Sequence, residues 1–265
     1  MRVLTLWVGL MLCGMSCVSQ VLAQEMTHSK STQEIKKVLL VVAMDTEAAP
    51  IIKALHLQHA AAPDKRLPMR GYQGRYAKYD IYLVTNGTDP VYNVQNVGTQ
   101  AATLSTYLGI SHFHPDLVIS IGTAGGIPEK NAKIGDVYVS QKIFFYGRRI
   151  PLPGYREYGL GGYTSATIDQ RVDSLGFKRG YICSGDAFDE NPVDRKMVLK
   201  NNCSVREMEA ASVAWVSLLM HTPMVAIKGI TDIEGRADSR VEFQKNFDRV
   251  NVLLAEKLKQ LLSLF

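Results

Sequence analysis

The sequence predicts a single α/β domain, a mostly parallel or mixed sheet with helices over both faces. Three observations predict it. Short apolar runs rich in Val, Leu and Ile alternate with segments of helical spacing. No unit repeats along the chain, so one domain is favoured over an array. Of 265 residues, 46% are hydrophobic and 21% charged, enough apolar mass for one full core and too little charge for a disordered chain or a coiled coil, while 21 glycines are far too few for collagen.

The first segment stands outside that domain. Residues 1–23 (MRVLTLWVGLMLCGMSCVSQVLA) carry one charge, Arg2, then an apolar stretch with small residues one and three positions before a cut after Ala23. This is the pattern of a cleavable secretory signal, and it sends the protein to the periplasm or outside the cell. An uncleaved anchor and a lipoprotein cut before Cys17 fit it less well. Residues 24–35 read as a polar spacer, and residues 36–265 as the folded domain, with no stable membrane association once the signal is cut.

Within the domain, 37–43 (KVLLVVA) suits a strand buried on both faces. A helix over 46–55 follows, with Thr46 as its cap. Residues 71–77 and 81–85 read as a strand pair, and 93–108 as a helix ending before Gly109. The run 117–121 (LVISI) is a second buried strand feeding GTAGG. Residues 134–146 form a long strand, and 148–163 (RRIPLPGYREYGLGGY) a loop rich in Pro, Gly and Tyr. Three more strands are expected at 181–184, 205–208 and 224–230, with a helix over 210–219. An amphipathic helix over 241–262 closes the chain by core or interface packing.

Composition also excludes partners. The net charge of +5 comes from 30 basic and 25 acidic residues with no block of one sign, so a nucleic-acid backbone is a poor match. The six histidines include no HExxH, and His112 and His114 read as loop residues beside Pro115, so neither a metal site nor another cofactor is expected. Of four cysteines, two leave with the signal. Cys183 and Cys203 remain in an oxidising compartment and could pair, although small buried thiols are the commoner reading. Two matches to the glycosylation pattern, at Asn86 and Asn202, are read as chance.

In open α/β sheets, ligands collect where strands end, because loops and helix N-termini converge there. Those positions hold Glu47, the GTAGG run, the 184–188 loop, Glu207-Met208-Glu209 and Thr231-Asp232. Singly, each has a structural explanation, as a first-turn acid or a tight turn. Together, AMDTEAAP (43–50), IGTAGG (121–126), IGDVYVS (134–140), CSGDAF (183–188), REMEAASVA (206–214) and KGITD (228–232) resemble the nucleoside phosphorylase and nucleosidase family, in the order expected over 37–265. Within it the motifs are most similar to the 5′-methylthioadenosine / S-adenosylhomocysteine nucleosidases.

The resemblance implies a three-layer α/β/α fold with a central mixed sheet, nucleoside phosphorylase-like, working as a homodimer on a small nucleoside. It implies Asp232 as general acid to the purine, oriented by Thr231, and Glu47 as the carboxylate that positions water beside Thr123. It places Glu209 and Met208 at the ribose, with Glu207 next to them. Phe188 would stack on the adenine, main-chain groups of Phe188 and Asp189 would read it, and Ala124 and Gly125 would allow close backbone approach. Two features depart from many bacterial members: Lys228 stands where they carry Arg, and Asp189 where they carry an apolar residue. With RRIPLP (148–153), both look more like the plant-type enzymes, and Ile150, Pro151 and Tyr155 become candidates for a 5′-alkylthio pocket across a dimer interface.

The chemistry suits the residues. Cleaving a purine from ribose needs an acid on one side of the bond and a water-positioning carboxylate on the other. A phosphorylase would instead need cations in the first strand-end loop and before the Gly-rich end. MDTEAAP and VISIGT carry none, and Glu47 would repel phosphate. A nucleoside-binding relative without turnover would lose the acid or the water-side carboxylate. This sequence keeps Glu47, Glu209 and Asp232.

Overall fold

The chain enters its core through β1 (Lys37–Val42), which lies between two parallel neighbours, β4 (Tyr79–Thr85) and β5 (Leu117–Gly126). Neighbours on both edges and helices on both faces explain why β1 reads as an unbroken apolar run. These positions come from a computed structural model that describes residues 34–265. The signal segment and all but the last two residues of the spacer lie outside the described residues.

Successive β1 side chains serve two different cores. Val38, Leu40 and Val42 pack with Ile51 of α1 (Asp45–Ala54), with Leu55 at its C-cap, and with Val250, Leu254 and Leu258 of α6 (Ser239–Leu262). Leu39 and Val41 pack on the opposite face with Ala102, Ile110 and Phe113 of α2 (Thr99–Phe113) and with Ala210 and Val213 of α5 (Ala210–Leu219). Each such side chain, removed from water, contributes about 1.5–3 kcal/mol. The predicted layers are therefore present, with α1 and α6 on one face and α2 and α5 on the other.

Beyond β4 the sheet runs out through β3 (Arg70–Tyr76) and β2 (Gln58–Ala60), both antiparallel to their neighbours. On the other side it closes. The last strand, β10 (Met224–Ile233), pairs with β5 in parallel and with β6 (Val137–Phe145) in antiparallel fashion. From β6 the ladder continues through β8 (Lys178–Ser184) and β9 (Val205–Glu207) back to β5. The mixed sheet thus ends in a closed ring of β5, β10, β6, β8 and β9.

Several expectations are corrected. The α1 N-cap is Met44, and Thr46 is exposed, because the Glu47 side chain turns back to the Met44 amide. α2 starts later and runs through Gly109 to a left-handed cap at His114, so His112 is helical. Gly109 lies inside the helix because a Cβ there would come within 2.8 Å of Leu39 Cδ2; hydrogen alone lets the helix sit on the sheet. GTAGG is the extended end of β5 and not a turn. The 148–163 segment contains α3 (Tyr155–Leu160) and β7 (Gly161–Thr164), and α4 (Pro192–Lys200) follows β8.

Cys183 and Cys203 form a disulfide, not the expected pair of thiols. Cys183 is in β8 and Cys203 just precedes β9. Those strands are parallel neighbours, which brings the two Cα atoms to 5.9 Å, inside disulfide range. Asn86 is buried and bonded to the Asn96 carbonyl, so its glycosylation pattern is not presented at the surface. No helix among the described residues is long and apolar enough to cross a membrane.

Candidate active site

The first carboxylate comes from the first turn of α1. Glu47 is 3% exposed, and its Oε1 accepts hydrogen bonds from the Thr123 amide (2.8 Å) and hydroxyl (2.7 Å) at the end of β5. Its Oε2 accepts from the Met44 amide at 3.4 Å. Burial raises the Glu47 pKa; Thr123 and Lys228 pull it back by stabilising the charged form.

A second cluster forms where β9 meets α5. The Glu207 carboxylate accepts from the amides of Glu209 (3.1 Å) and Ala210 (2.9 Å), and from the Ser184 hydroxyl. Lys228 Nζ stands 2.7 Å from Oε2, the oxygen that also takes those two amides, and both side chains are almost wholly buried. Burial works against the lysine charge, but Glu207 and Glu209 outweigh it and raise the pKa. Glu209 turns instead to the cavity, accepting from the Gly98 amide at 2.9 Å. Burial, with Glu207 nearby, lifts its pKa to about 7 against the pull of Lys228.

The third group lies at the end of β10. Thr231 donates to Asp232 Oδ1 at 2.8 Å, and burial raises the Asp232 pKa despite that bond. Glu234 follows on the same side, its Oε2 held by Arg206 Nη1 at 2.5 Å. Burial takes the Glu234 pKa to about 7 against the attraction of Arg206. Arg206 also donates to the carbonyls of Ala187 (2.7 Å), Phe188 (3.3 Å) and Asp189 (2.5 Å), pinning the loop that carries Phe188. The Phe188 ring meets Phe243 of α6 edge to face at 5.5 Å.

These groups surround one cavity of about 240 Å³. Its wall joins Glu47, Thr123, Ala124, Gly125, Phe188, Glu207, Met208, Glu209, Thr231 and Asp232, all named from the sequence. Four other candidates are elsewhere. Lys228 sits behind Glu207; Asp189 is exposed and contributes only a carbonyl, to Arg206; Ile150 and Tyr155 lie in the segment after β6, away from the cavity wall. Glu207 reaches the wall, but its carboxylate is committed to Lys228 and the start of α5. Sequence reasoning missed Arg206, Glu234 and Phe243. The spacing of Glu234 from Asp232, two residues along an extended segment, was the available signal. Among the described residues no group of three or more His, Cys, Asp or Glu is arranged to hold a metal ion.

The model of the phosphorylase superfamily matches residues 37–263, from the first strand to the last helix. The chain belongs to the phosphorylase superfamily. Within this superfamily it is 36% identical over 231 residues to a 5′-methylthioadenosine/S-adenosylhomocysteine nucleosidase of Arabidopsis thaliana, covering 86% of this chain and 91% of that protein. A 5′-methylthioadenosine nucleosidase of the same plant is 32% identical over 230 residues, 86% of each chain. The solved apo structure of an Arabidopsis thaliana 5′-methylthioadenosine nucleosidase superposes with a TM-score of 0.84 at 31% identity, over 87% of this chain and 96% of that one. The superfamily fold and the nucleosidase relatives agree with the resemblance carried by the motifs.

Proposed function

We propose that the chain hydrolyses the N-glycosidic bond of 5′-methylthioadenosine, and of S-adenosylhomocysteine, to adenine and the 5-thioribose product. The observation that carries this reading is a single cavity walled by two buried carboxylates on different elements, Glu47 on α1 and Asp232 on β10, each oriented by a threonine. The two Arabidopsis thaliana relatives, both methylthioadenosine nucleosidases by name, support the substrate class.

In this reading Asp232, its pKa raised by burial, holds a proton to give to purine N7 as the C1′–N9 electrons pass to the base. Glu47, aimed by its bonds to Thr123, orients water and takes its proton as the water oxygen bonds to C1′. Glu209 accepts from the ribose hydroxyls, with Met208 beneath the sugar. Phosphate is disfavoured as nucleophile: Arg206, on the cavity wall, and Lys228, behind it, are paired with Glu234 and Glu207.

The expected result is adenine release from methylthioadenosine at equal rates with and without phosphate, followed by chromatography. No release, or release only with phosphate, sinks the hydrolase reading.

The enzyme works outside the cytoplasm as a homodimer. The signal pattern of residues 1–23 and the Cys183–Cys203 bond support export. Exposed Leu104 and Tyr107 of α2 border a groove of about 860 Å³ with Trp215 of α5, an apolar surface suited to a second copy. A single-chain mass by sedimentation equilibrium would contradict the dimer.

A further inference from the structure

The end of β10 sends two carboxylates to the cavity, and the mechanism uses one. Asp232 and Glu234 are both on the wall, and Glu234 has no task in bond cleavage. Its Oε2 is fixed by Arg206, while Oε1 receives no hydrogen bond from the described residues. Oε1 stands against Gly125, where a Cβ would come within 2.2 Å of it. Any side chain larger than hydrogen at 125 would evict the carboxylate. Burying a carboxylate is costly, and here Arg206 offsets that cost while leaving one oxygen free. The arrangement is a built acceptor beside the acid.

Purine chemistry says what such an acceptor meets. N7 and the substituent on C6 share one edge of the base, so a carboxylate next to the group that protonates N7 faces the C6 substituent. An amino group there donates to it. An oxo group presents lone pairs to the carboxylate and leaves it unpaired, and sites built to pair a substrate donor reject analogues that lack it.

We propose that Glu234 selects a 6-aminopurine leaving group over a 6-oxopurine, with Arg206 as the positioning residue that holds both Glu234 and the 187–189 loop. The inference rests on the reading of the cavity as a nucleoside site with Asp232 facing N7.

The test compares kcat/KM for methylthioadenosine and its 6-oxo counterpart, methylthioinosine, in the full chain. The native protein is expected to prefer the amino compound by at least about a hundredfold. E234Q offers an amide N–H to the oxo group and should lower the ratio by about tenfold or more. E234D keeps a carboxylate for Arg206 but withdraws its oxygen, and should lower it too. If E234Q does not fold, E234D carries the test alone, and competition by free adenine against free hypoxanthine in the native protein gives the same discrimination. Equal use of both nucleosides by the native protein overturns the proposal, as does a ratio unchanged within about twofold in a variant that still cleaves methylthioadenosine. A native protein that releases no base from either compound overturns the nucleosidase reading instead, which is a separate result.

Discussion

The buried carboxylates divide their work by what holds them. Glu207 is tied on both oxygens and supports Lys228 and the start of α5; Glu47 and Asp232 are each held on one side by a threonine and open to the cavity. On the proposed mechanism, Asp232→Asn keeps the shape and removes the proton given to the purine. It is expected to lower kcat by about 10²–10⁴-fold while methylthioadenosine binding, read by calorimetric titration, changes little. Unchanged turnover would remove Asp232 from the acid role. At this scale Glu47, Glu209 and Asp232 were legible because each is a charged residue at the end of an apolar run. Arg206 was not. It reads as one more polar residue before Glu207, and its meaning comes from Glu234 and three carbonyls, all at least 17 residues away.

Among the elements, strand and helix identities followed from periodicity, but their ends did not. Gly109 and the GTAGG run looked like stops; both are interior because close packing against Leu39 and against β10 requires small residues. β7 and α4 lie in segments too rich in Pro, Gly and charge to show a period. The disulfide belongs here as well, since it closes the excursion through α4 and delivers β9 to the cavity. Cross-linking a loop of 20 residues stabilises by about 3 kcal/mol in the chain-entropy account, so reduction is expected to lower Tm by roughly 6–12 °C. Reduction should also raise KM, because Arg206 and Glu207 follow Cys203 within four residues. A Tm indifferent to reductant would show that the bond does not form in solution.

For the molecule as a whole, gathering four carboxylates of raised pKa at one cavity makes stability depend on pH. Burial raises the pKa of Glu47, Glu209, Asp232 and Glu234, those of Glu209 and Glu234 to about 7. Each binds its proton more tightly folded than unfolded. For Glu209 and Glu234 the stabilising contribution is therefore full below the unfolded value of 4.5 and is lost as pH rises through about 7. The ligand-free protein should lose stability between about pH 5 and pH 7.5, at up to roughly 1.4 kcal/mol per pH unit for each titrating group. Calorimetry should show a shallower fall for Glu234→Gln; a Tm that rises over that window would contradict the assignment.

The one-dimensional pattern of apolar runs and charged strand ends was enough for the α/β class, the order of most elements and the list of carboxylates at strand ends, because burial on two faces and a change of polarity at strand ends leave local marks. Closure of the sheet into a ring, the Cys183–Cys203 bond, the burial of Lys228 against Glu207 and the pairing of Arg206 with Glu234 were decided only in three dimensions. Each joins residues distant in sequence through a register, and no single residue carries a register in its own side chain.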